Sequence, residues 1–77
     1  MTINDFRKIN FATETDYKIL DEGGNTVEYF TVNKFDGEFK PERYNRNIDN
    51  FVKYGDCEIF AVYSFCDVLR VTAVYKK

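Results

Sequence analysis

The chain has 77 residues and a formal net charge of −2, a length that allows one domain covering residues 1–77. It contains no histidine and no tryptophan, with two cysteines and a single proline. Without histidine it cannot build a Ser-His-Asp triad, a Cys-His dyad or a histidine metal site. With 44% apolar and 31% charged residues, the balance is that of a soluble globular protein.

A chain this short buries only about 60–65% of the surface its unfolded form exposes. Aromatic residues compensate: eight Phe and six Tyr make up 18% of the sequence, and each ring can bury roughly 150–250 Å². Residues 1–31 carry three basic and six acidic side chains, residues 32–54 five and four, and residues 55–77 three of each. A weak central basic excess in an acidic chain argues against a dedicated nucleic-acid face. No apolar run approaches the 18 or more residues of a membrane span. The first ten residues lack the apolar core of a signal peptide. The expected compartment is the cytoplasm, where lone cysteines stay reduced.

In chain order, Thr2 followed by Asp5 resembles a helix cap with an acid at N3. Ile3, Phe6 and Ile9 then fall on one face of a short helix, with Arg7 and Lys8 favourably placed near its C-terminal end. Thr15 to Asp21 reads as a strand. The run Asp21-Glu22-Gly23-Gly24-Asn25 reads as a turn, because glycine adopts positive φ freely. Thr26 to Val32, rich in β-branched and aromatic residues, completes a hairpin. Asn33 to Asn47 is the least regular stretch, with a turn at Asp36-Gly37 and a single helical turn starting at Pro41. Ile48 to Tyr54 reads as a strand ended by Gly55-Asp56. Cys57 to Phe65 is apolar on both faces, as expected of a central strand covered on both sides. Cys66-Asp67 forms a tight connection to the last strand, Val68 to Tyr75. Lys76 and Lys77 end the chain in solvent. The sum predicts an α+β fold: an antiparallel sheet of four or five strands with one short N-terminal helix packed on one face.

Cys57 and Cys66 sit at opposite ends of one predicted strand, roughly 30 Å apart at about 3.3 Å per residue. They cannot bridge, since a disulfide needs Cα atoms about 4.4–6.8 Å apart. Their spacing fits no zinc pattern, no EF-hand loop is present, and neither a Walker A loop nor a G-x-G-x-x-G run occurs. No metal, cofactor or catalytic residue is expected, and the chain reads as a non-enzyme. The segment most informative for binding is Lys34 to Arg46, which interleaves cations with rings in a predicted loop. Its candidate contact residues are Phe35, Phe39, Arg43, Tyr44 and Arg46. They match the residue types that anchor protein interfaces. They also match those that stack single-stranded bases, and the rings could instead close one end of a small core.

The layout resembles the small accessory proteins of phages and prophages. The resemblance is carried by the opening Thr2-Ile3-Asn4-Asp5-Phe6 helix, the Tyr17-Lys18-Ile19-Leu20-Asp21-Glu22-Gly23-Gly24-Asn25 hairpin and the β-rich C-terminus. That group includes inhibitors of bacterial defence of the anti-CRISPR kind. What the resemblance implies is a non-enzymatic inhibitor or modulator that binds a host bacterial protein, such as a CRISPR nuclease or its complex, in the host cytoplasm and acts by steric occlusion. The alternatives are a structural or homodimeric phage module and a small nucleic-acid-binding domain using the Phe35–Arg46 segment.

Overall fold

A computed structural model describes residues 1–76; Lys77 lies outside the described residues. Seven elements follow one another: α1 (Ile3–Ile9), β1 (Glu14–Leu20), β2 (Thr26–Asn33), α2 (Asp36–Phe39), α3 (Pro41–Tyr54), β3 (Glu58–Phe65) and β4 (Val68–Val74). The class is α+β, with the four strands in one sheet of order β2-β1-β4-β3. Among the described residues no helix is long and apolar enough to cross a membrane.

Each of the two hairpins is closed by local chemistry. Between β1 and β2, the Asp21 carboxylate accepts a hydrogen bond from Asn25 N–H at 2.9 Å, and Gly24 takes φ of 87°. Between β3 and β4, Cys66 and Asp67 both adopt positive φ, 50° and 65°. That is the conformation a two-residue hairpin requires to match strand twist.

The sheet is mixed, which corrects the expectation of a purely antiparallel one. β1 pairs antiparallel with β2, and β3 with β4, but the central pair β1–β4 is parallel, with Tyr17 opposite Val71. The cause is α3. Residues 48–54, expected to be a strand, form the second half of a 14-residue helix that begins with Pro41 at its first turn. Parallel pairing requires a crossover of a dozen or more residues, usually helical. α3 supplies it between the two hairpins. The sheet also carries three helices rather than one.

α3 was hidden by its own buried face. That face consists of Asn47, Phe51 and Tyr54, spaced four and three apart. Its first position is polar, which breaks the apolar rhythm in the sequence. Asn47 is tolerated there because its side-chain amide donates to the Thr31 carbonyl of β2 at 3.0 Å.

The core lies between the sheet and the helices. Tyr17 of β1 stacks on Phe30 of β2 with centroids 5.2 Å apart, and Phe51 of α3 meets both rings edge-on at 5.5 Å. Ile3, Ile19, Val71 and Ala73 are buried beside them. α1 begins with a reciprocal capping box: Asp5 N–H donates to Thr2 Oγ1, and Thr2 N–H donates to the Asp5 carboxylate, both at 3.2 Å. α1 docks through backbone bonds from Ile3 N–H to Cys57 O and from Asn4 N–H to Gly55 O, with Arg7 3.6 Å above the Phe51 ring. Gly55 permits this close approach, because a Cβ there would collide with the Asn4 side chain and the Phe51 carbonyl.

A second correction concerns β3. It lies at the sheet edge, with β4 as its one neighbouring strand among the described residues, instead of in the centre. The central strands are β1 and β4.

Candidate functional site

The five candidate contact residues fall on α2, α3 and the residues that join them to β2, so their frame is helical where a loop was expected. Phe35 and Phe39 flank the single turn of α2 with their rings edge-on, 6.4 Å apart. The Tyr44 ring packs over Gly37. Phe39, Arg43 and Arg46 line one open depression of about 420 Å³ together with Lys40, Pro41 and Glu42. Phe39 is 70% exposed.

Arg43 is partly drawn into the fold. Its guanidinium lies 3.7 Å from the buried carboxylate of Asp36, which also accepts the Asn33 N–H at 3.0 Å. Asp36 thereby ties the end of β2 to α2 and α3. Arg46 has no such tie among the described residues, and it stands exposed on the same depression. The surface therefore pairs a fixed cation and a free one with rings held on short, rigid elements, an arrangement suited to an acidic or amphipathic protein surface.

A second surface was not singled out by sequence. Paired residues of adjacent strands share a face, so the register places Asp16, Thr31, Arg70 and Tyr63 together on the face away from the helices. Tyr29 O–H and Thr31 Oγ1 each donate to the Asp16 carboxylate at 2.8 Å, and Arg70 Nε lies 3.9 Å from it. The bond to Asp16 holds the Tyr29 phenol above its ordinary pKa. A depression of about 230 Å³ lies over these residues, lined also by Lys18 and Tyr63. Both Asp16 oxygens are occupied within the sheet, so the network stiffens the face instead of offering a free acid.

This face runs into β3, whose later residues are almost all exposed. Phe60 is 77% exposed and Phe65 60%, with Val62 and Tyr63 about half exposed. Across the described residues, five of the eight phenylalanines (Phe11, Phe35, Phe39, Phe60 and Phe65) lie in solvent. Phenylalanine is ordinarily among the most buried residue types. The signal for β3 was present as apolar residues on both faces, but that pattern is the same whether chain or partner provides the cover.

Both cysteines are free: Cys57 is buried and Cys66 exposed in its turn. Burial pushes the Cys57 thiol up, and nearby Asp56 adds to the shift. Among the described residues no group of three Cys, Asp or Glu side chains is arranged to hold a metal ion. A comparison with protein families, curated proteins and solved structures finds no match for this chain.

Proposed function

We propose that the chain is a non-enzymatic protein-binding module that inhibits or modulates a host bacterial protein by covering part of its surface. The contact is the helical end around Phe39, Arg43 and Arg46. The observation that carries this reading is the exposure of Phe39 on a rigid two-helix frame beside two arginines. Apart from its edge-on contact with Phe35, a ring this exposed contributes little to the fold of a domain with so small a core. At the centre of an interface it anchors, especially next to Arg. Steric occlusion needs no reacting group. It needs only about 800 Å² of complementary surface per partner, a share that a domain measuring 36 × 25 × 20 Å can present.

The partner class is tested with a panel of bacterial strains, each carrying one defined CRISPR nuclease and challenged by a targeted phage. Expression of the chain should restore plaques in at least one strain, and the purified chain should inhibit that nuclease at a one-to-one ratio. The double substitution Phe39→Ala with Arg46→Ala should abolish both effects while the melting transition stays in place. Inhibition that persists after the chain is removed, or that needs far less than one equivalent, would replace occlusion with catalysis. Full activity of the double variant would move the contact off the helical end. Binding to none of the nucleases would overturn the CRISPR partner.

A further inference from the structure

We infer that the free edge of β3 pairs with the same edge of a second copy of this chain, joining two four-stranded sheets into one of eight strands. The proposal is independent of the helical end and of any host partner.

The edge is only partly closed by the chain itself. Thr2 bridges Glu58, and Ile59 N–H donates to the Met1 carbonyl at 2.9 Å. Beyond that point Ala61 to Phe65 pairs with β4 on one side, and no strand of the described residues pairs with the other. Roughly half of the backbone N–H and C=O groups of such a segment face away from its partner strand. Over residues 60–65 they form a template about 20 Å long at 3.3 Å per residue. Natural edges are usually blunted by lysine, proline, a β-bulge or a covering element; here the ladder to β4 is irregular at Phe60, between Ile59 and Ala61, and regular from Ala61 to Phe65. Residues 60–65 are Phe, Ala, Val, Tyr, Ser and Phe, with no charge and no proline. This is the composition of a doubly covered strand in a singly covered position.

Three features select a second copy as the cover. First, residues 60–65 carry no charge, so antiparallel pairing of this segment about a twofold axis sets no charges opposite one another within it. At each end of the joint, Glu58 of one copy falls beside the Cys66-Asp67 turn of the other, outside the paired segment. Second, the twofold keeps both helical layers on one face of the joined sheet, so the exposed rings of β3 from each copy lie against each other. Third, the other edge does not compete. β2 carries Glu28, and the Thr31 carbonyl is already engaged by Asn47. Head-to-tail pairing of β3 onto β2 would generate an open filament, whereas β3 on β3 closes as a dimer.

The test is mass and amide exchange across concentration. Sedimentation between about 10 µM and 1 mM, a range that spans weak to moderate association, should show conversion from 9.1 kDa to twice that mass. Amide protection at residues 60–65 should rise with it, with β2 unchanged. Val62→Lys should keep the chain at single mass with its circular dichroism intact, while Val27→Lys on β2 should leave the dimer in place. The exchange measurement uses the unmodified chain and stands even where Val62→Lys does not fold. A single mass at the highest concentration, with the outward-facing amides of residues 60–65 no better protected than in dilute solution, would overturn the proposal. So would a dimer insensitive to Val62→Lys, or protection of residues 60–65 that appears only when a different protein is added.

Discussion

β1 and β3 are strands of seven and eight residues that carry similar apolar side chains, yet they have opposite fates. β1 buries Thr15, Tyr17 and Ile19 completely on its helix side and is flanked by hydrogen-bonded strands on both edges. β3 is the more apolar by composition and hardly buries anything: five of its last six residues are exposed. The difference lies in sheet position, which is decided by the 14-residue crossover of α3. Once that helix links the hairpins, the strand that follows β2 is delivered to the far edge and β4 closes on β1. Hydrophobicity says that a strand wants cover, whereas topology decides whether its own chain provides it.

The sharpest way to break this comparison is to make one substitution at equivalent sites. Ile19 of β1 and Ile59 of β3 both face the helices, and both pair with or beside Ala73 of β4. Ile19 is fully buried, whereas Ile59 is only half-buried at the edge. Ile19→Ala should cost about 2–5 kcal/mol in chemical denaturation, the usual cost of emptying a core site. Ile59→Ala should cost about 1–2 kcal/mol, in line with its partial burial. Phe60→Ala should change stability by no more than about 0.5 kcal/mol when measured at low concentration. Equal costs at Ile19 and Ile59 would show that β3 is covered as well as β1.

The turn that ends β3 provides the next test. Cys66 has a Cβ in the left-handed region, at φ of 50°, where a side chain other than Gly, Asn or Asp costs roughly 1–2 kcal/mol. Cys66→Gly should raise the unfolding free energy by up to about 1 kcal/mol, part of the relief being offset by the greater freedom of glycine in the unfolded chain. A loss of stability would mean that the thiol makes a contact that outweighs the strain.

How much of this could be read beforehand follows from the same two strands. Both hairpins, their turns and the capped first helix were legible, because each is encoded within about ten residues: Gly24 at the first turn, Thr2 and Asp5 at the cap. The positions of Cys57 and Cys66 at opposite ends of β3 were legible for the same reason. The crossover was not. Ile48 and Val52 have strand-like side chains, and the helical face Asn47-Phe51-Tyr54 begins with an amide that makes sense only once Thr31 lies opposite. With the helix lost, the parallel pair was lost and β3 was placed in the centre. The residues of the proposed helical-end contact were picked out by their interleaved cations and rings, although their helical frame was not. The Asp16, Tyr29 and Arg70 cluster was missed because only strand register assembles it.

The two cysteines measure the burial gradient along β3 chemically. Cys66 should react with iodoacetamide quickly under native conditions. Cys57 should react only as the domain opens, because it is buried and its thiol is held in the protonated form. Under denaturing conditions two thiols should react. Equal native rates would mean that the start of β3 frays and that the contact with Met1 and Thr2 does not hold.

The smallest effect is acid sensitivity, and it too separates the two strands. Asp21 closes the turn after β1, and hydrogen bonds from the Asn25 backbone hold its carboxyl below the ordinary carboxylate range. Asp5 caps the helix that fastens Met1 and Thr2 to β3, and the Thr2 backbone and hydroxyl lower it likewise. A carboxyl whose folded pKa lies below its unfolded value of about 3.9 contributes stability above that value. The contribution is lost as pH falls through the folded pKa. Asp5 is exposed and Asp21 lies in a surface turn, so each effect is small and is best followed locally, by the titration of side-chain carboxyl resonances below pH 4. Both midpoints should lie under the ordinary value. Thr2→Ala and Asn25→Ala each leave the main backbone donor in place, so each should move its own carboxyl only part of the way back, Thr2→Ala shifting Asp5 by loss of the hydroxyl without moving Asp21. If Asp5 of the unmodified chain titrates at the ordinary value, the capping box does not persist in solution. The fastening of the N-terminal residues along β3 would then be weaker than the bond from Ile59 to Met1 implies, and the free edge would be longer than six residues.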